Sequence, residues 1–147
     1  MSGGTVHGYS GKLLWQKLGL KAGLRILVLD SPSDYAGLVG LEAASLNLVG
    51  PRAAFDLAHV FTTQRKVLIS RIEALASRLP AEGVIWTSWP KKSSRVPTDI
   101  TEDTIREVSL PLGLVDIKVC AVDATWSGLK LVWRKELRAK MLPARRH

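Results

Sequence analysis

Four short polar clusters hold the side chains best suited to chemistry: DSPSDY (Asp30–Tyr35), FTTQ (Phe61–Gln64), WPKKSSR (Trp89–Arg95) and VDATWS (Val122–Ser127). Each closes an apolar run. They offer carboxylates, hydroxyls, the cations Lys91, Lys92 and Arg95, and two indole faces. Cations beside hydroxyls suit a phosphate or carboxylate, and flat aromatic surfaces suit a planar ligand. The candidate ligand-binding set is Asp30, Tyr35, Thr62, Trp89, Lys91, Lys92, Ser93, Asp123 and Trp126. The competing reading packs Trp89 and Trp126 over the core and leaves the lysines in solvent.

Groups elsewhere point away from catalysis. His59 sits in the apolar run FDLAHVF with no second histidine or cysteine at ligand spacing, so it reads as a hydrogen-bonded core histidine. Cys120 lies between Val119 and Ala121 and reads as a small core hydrophobe. Ser88 lacks the glycine-flanked elbow of a hydrolase serine. Asp56 serves a turn. Asp99 or Thr101 caps a helix whose first turn carries Glu102 and Asp103. There is no phosphate-cradling lysine motif and no cysteine–histidine cluster. No catalytic residue, metal or cofactor is expected.

The elements that must position these groups follow from the apolar pattern. Leu24–Asp30, Phe55–Phe61 and Gly83–Trp89 are continuous apolar runs, the mark of strands buried in a parallel sheet. Leu14 and Leu18 fall four apart in a first helix that Gly19 or Gly23 stops. Leu68, Ile72, Leu75 and Leu79 mark an amphipathic helix over residues 64–79. Between these lie a turn or two of helix near Leu38–Ala44 and a brief strand at Leu46–Val49. A further helix runs to about Ser109, ended by Pro111 and Gly113. Val115–Asp123 and Gly128–Arg134 alternate and form a hairpin. In the first of these, Val115, Ile117, Val119 and Ala121 share one face, with Asp116 and Lys118 on the other. In the second, Leu129, Leu131 and Trp133 oppose Lys130 and Arg134. Strands joined through single helices run parallel, because the crossover needs about a dozen residues.

The chain of 147 residues has room for one domain. Its organisation is a flexible N-terminus (1–10), one α/β domain (11–134) and a basic tail (135–147). A single cysteine excludes an internal disulfide and fits a reducing compartment. No signal-peptide core and no run near ~20 apolar residues is present, so a cytoplasmic protein with no membrane association is expected. Of the net charge of +8, five units fall between Arg134 and His147. Such an end can grip nucleic acid or simply keep a small protein soluble, and the second reading is favoured.

The segments GYSGKLLWQKLGLKAGLRILVLDSP, FDLAHVF and WTSWPKKSSRVPTDITEDTIREVSLPLGLVDIKVCAVDATWSGLKLV resemble a small bacterial family of uncharacterised single-domain proteins. WPKK, TDITED and WSGLK carry that likeness. LKAGLRILVLD looks like the helix-to-first-strand entry of class I S-adenosylmethionine-dependent methyltransferases. That resemblance implies a Rossmann-like, mostly parallel sheet with helices on both faces, a shortened nucleotide half and a C-terminal antiparallel hairpin. It also implies a glycine-rich cofactor loop after the first strand and a ribose-binding carboxylate after the second. Here Ser31-Pro32-Ser33-Asp34-Tyr35 fills the first place and Gly50-Pro51-Arg52 the second. The expectation is a non-catalytic binding or regulatory domain that holds a small anionic ligand or a protein partner at the strand-end face. The alternative is a divergent methyltransferase or another small-molecule enzyme.

Overall fold

In a computed structural model the chain is described over residues 13–141. The elements are α1 (Leu14–Leu18), β1 (Arg25–Leu29), α2 (Tyr35–Val39), β2 (Asn47–Leu48), β3 (Leu57–Phe61), α3 (Arg65–Ala76), β4 (Val84–Pro90), α4 (Glu102–Ser109), β5 (Leu114–Ala121), β6 (Trp126–Trp133) and α5 (Lys135–Met141). Short 3₁₀ turns cover Ala43–Ser45, Lys92–Ser94 and Leu110–Leu112. The six strands lie in the order β2-β1-β3-β4-β6-β5. β1 to β4 are parallel, and β6 enters antiparallel between β4 and β5. The mostly parallel sheet with its terminal hairpin is therefore the architecture the apolar runs imply. The β1–β2 edge of the sheet is short, with only two residues in β2.

Alternation along the strands sends side chains to two cores. Leu27, Ala58, Val60, Ile85, Leu129 and Leu131 meet Leu68, Ile72 and Leu75 of α3 and Ile105 of α4. On the opposite side Ile26, Leu57, Phe61 and Trp86 meet Leu18 of α1 and Tyr35 and Val39 of α2. Two indoles tie helix ends to the sheet: Trp86 Nε1 donates to the Leu18 carbonyl at 2.9 Å and Trp133 Nε1 to that of Leu79 at 3.1 Å. Each satisfies an acceptor that burial would otherwise orphan.

Several local expectations change. The helix near Leu38–Ala44 begins earlier, at Tyr35, because Asp34 caps it by accepting the Gly37 N–H at 2.9 Å. Val115, Ile117, Val119 and Ala121 do not share a face. Asp116 pairs with Leu131 while Lys118 pairs with Lys130, so Ile117 is the extra residue of a bulge. An inserted residue reverses the alternation beyond it, and Ile117 and Val119 end up exposed. Thr101 caps α4, accepting the Thr104 N–H. Asp99 instead accepts the Arg65 N–H at 2.6 Å, at the start of α3. The 135–147 segment begins with α5, whose Leu137 packs against the core. The 1–10 segment and the end from residue 142 lie outside the described residues.

Candidate functional site

At the carboxyl ends of the parallel strands the loops after β3 and β4 and the hairpin turn are joined by hydrogen bonds, and Tyr35 meets Phe61 edge-on. The Lys91 N–H donates to the Thr125 carbonyl at 2.7 Å, tying the loop after β4 to the hairpin turn. Thr98 Oγ1 donates to the Thr63 carbonyl at 2.7 Å, tying the same loop to the end of β3. Asp30 leaves β1 with φ 60° and pairs with Arg71 of α3 at 2.9 Å. The Asp123 carboxylate accepts the Thr125 and Trp126 N–H groups at 2.8 and 2.7 Å, folding the hairpin turn.

The candidate residues divide into presented and enclosed groups. Lys92 and Ser93 are exposed and Lys91 is half-buried, around a 3₁₀ turn that Arg95 ends with φ 63°. Among the described residues Lys91, Lys92 and Arg95 have no ion-pair partner. Thr62 is buried, and its hydroxyl oxygen accepts the Gln64 N–H at 3.2 Å. Trp89 is buried on the α3–α4 side, whereas Trp126 packs on the α1–α2 side. The two indoles therefore face opposite ways and do not bracket one pocket.

Tyr35 turns inward. Its hydroxyl lies 2.7 Å from His59 Nδ1, and His59 Nε2 lies 2.8 Å from Ser88 Oγ. Phe61 stacks on the imidazole with centroids 4.3 Å apart, and Trp126 meets Phe61 edge-on. Burial pushes the His59 pKa down to about 3 and raises that of the Tyr35 phenol. A neutral imidazole has one donor and one acceptor nitrogen, so it can satisfy one hydroxyl on each side. His59 and Ser88 are fully enclosed, and this chain of bonds pins α2 to β3 and β4. His59 is thus the hydrogen-bonded core histidine that the sequence indicates. Tyr35 and Ser88 are its partners, one from α2 and one from β4, brought to it by the docking of those elements against β3. Cys120 is half-buried, and burial raises its thiol pKa.

A nucleotide cofactor in this type of sheet lies against the bend after β1. Here that bend is closed on itself. Asp34 occupies the Gly37 N–H, Ser31 Oγ donates to the Ser33 carbonyl at 2.6 Å, and Pro32 has no N–H to offer. After β2 the chain runs Val49-Gly50-Pro51-Arg52 without an acid. These residues do not fit an S-adenosylmethionine site of the usual form. Among the described residues no group of three possible ligands could hold a metal ion, and no helix is long and apolar enough to cross a membrane.

No family model matches the chain, and no curated protein matches it. Solved structures do. The fibrillarin pre-rRNA processing protein of Methanococcus jannaschii superposes with a TM-score of 0.56 at 12% identity, over 77% of this chain and 67% of that one. A SAM-dependent methyltransferase from Aquifex aeolicus gives 0.55 at 13% identity, over 79% and 85%. The ribosomal protein L11 methylase of Lactobacillus delbrueckii subsp. bulgaricus gives 0.53 at 12%, over 81% and 74%. The chain shares the Rossmann-like fold of class I methyltransferases.

Proposed function

We propose that the chain is a non-catalytic binding domain. It keeps a methyltransferase sheet and presents the strand-end face around Lys91–Arg95 to a small anionic ligand or a partner protein, in the bacterial cytoplasm. The reading rests on the bend after β1, where Asp34 takes the Gly37 N–H, Ser31 takes the Ser33 carbonyl and Pro32 has no N–H, in place of a glycine-rich cofactor loop. Lys91, Lys92 and Arg95 supply the charge for an anion.

Isothermal titration with S-adenosylmethionine is expected to give no binding heat at millimolar cofactor. Micromolar binding would overturn the reading in favour of a divergent methyltransferase, the alternative that the fold likeness favours. Pyrophosphate serves as the anionic probe for the loop. Its addition should shift amide resonances of Lys91–Arg95, and Lys91→Ala with Lys92→Ala should abolish the response.

A further inference from the structure

A second set of cations gathers away from the strand ends. β5 and β6 place Lys118 directly opposite Lys130, and Cys120 opposite Gly128. Residues directly opposed in an antiparallel pair point to the same side, as do residues two apart. Lys118 Nζ donates to the Lys17 carbonyl at the end of α1, at 3.1 Å. The charges of both Lys118 and Lys17 act on the Cys120 thiol. Three lysines and the cysteine therefore share one neighbourhood on the hairpin face.

No carboxylate comes from the elements that line it. α1 reads LWQKL and β6 WSGLKLVW, without an acid. Asp116, the one acid of β5, is held by Arg106 of α4 at 3.1 Å, on the other side of the sheet. Some arginines elsewhere are matched to acids, as in Arg25–Asp56 and Arg71–Asp30. Like charges set directly opposite one another destabilise a sheet, and Lys130 is also partly buried. Burial and then Lys118 lower its pKa. A fold that bears this repulsion is ready for an anion between the two ammonium groups.

We propose that Lys118 and Lys130, backed by Lys17, form a phosphate site on the hairpin face for a small phosphorylated ligand. A phosphate monoester carries about −1.5 to −2 charge at neutral pH, which answers two ammonium groups at one spot. A nucleic-acid backbone brings one charge per phosphate and is gripped by a long basic track.

Cys120 is the only cysteine, so its alkylation reports this site alone. Inorganic phosphate, added at constant ionic strength against chloride, should slow its reaction with the uncharged reagent N-ethylmaleimide severalfold and to saturation. Lys118→Gln with Lys130→Gln should abolish the protection, and Lys91→Ala with Lys92→Ala should keep it. Without phosphate, Lys130→Gln should melt higher than the parent chain; with phosphate the order should reverse. Equal rates in phosphate and chloride would overturn the site, as would protection that survives the double glutamine variant. Stronger protection by a single-stranded oligonucleotide than by phosphate would overturn the small-ligand assignment.

Discussion

Thr87 carries its hydroxyl into the α3–α4 core from the middle of β4, and Oγ1 has no hydrogen-bond partner among the described residues. An unpaired buried hydroxyl forfeits its hydration without return. Thr87→Val keeps the shape and removes the polar atom, so it should stabilise the fold by about 1 kcal/mol in denaturant titration. His59 presents the opposite case, a buried polar group that is fully satisfied. Its pKa lies near 3 in the fold against an ordinary 6.5. The unfolded chain therefore binds a proton that the folded chain refuses between those values. The stability from neutral His59 is complete above about pH 6.5 and falls by roughly 1.4 kcal/mol per unit as the pH drops towards 3. Thermal melts across that window should show the fall, and His59→Leu should flatten it. Tyr35→Phe leaves Nδ1 without its partner and should cost about 1–3 kcal/mol. The sequence marks His59 as a core residue because it stands in an apolar run. Its partners are 24 and 29 positions away, a pairing that depends on how the elements dock.

At the scale of elements, the strands are the most legible part. Short runs such as LRILVL and GVIWTSW, bounded by turn residues, suit the middle of a sheet; β1 and β3 fall within such runs and β4 overruns its own only at Pro90. The bulge at Ile117 is not legible, since alternation shows a face but not a skipped partner. The capping role of Asp99 is hidden for a similar reason: its carboxylate serves a helix that begins 34 residues earlier. The candidate site was legible as four loops at one end of the sheet. The opposite facing of Trp89 and Trp126 was not, because it depends on register at the strand end. α5 shows how a basic segment joins the core. Gly113 has φ 96°, and a Cβ there would press on the Leu137 side chain. Gly113→Ala should cost at least about 1–2 kcal/mol from backbone strain alone. It should also loosen the amides of α5, readable by hydrogen exchange. Ending the chain after Trp133 removes Leu137 from the core and should lower Tm.

Across the whole molecule, β3 and β4 lie between both cores, with every residue of β3 buried. Their amides should exchange slowest, close to the rate of global unfolding, and those of β2 and β5 at the edges fastest. A β3 amide exchanging as fast as one in β2 would contradict a single cooperative sheet. The charge of +8 follows a different geography from the cores. Most arginines on the α3 and α4 faces are matched to acids, whereas Lys91 and Lys92 of the strand-end loop and Lys118 and Lys130 of the hairpin have no ion-pair partner among the described residues. Binding to anions should weaken with salt in both places, and it should be lost separately when each set is removed.

The penultimate place of β6 in the sheet carries a consequence for synthesis. Among the described residues the last strand made is an interior one, so β5 has no neighbour until Trp126–Trp133 has left the ribosome. A nascent chain stalled before that point shows two open strand edges at once, on β4 and on β5. Such edges invite pairing with other chains. Premature termination in the hairpin turn should therefore give insoluble fragments, whereas β6 once made pairs with β4 and β5 together.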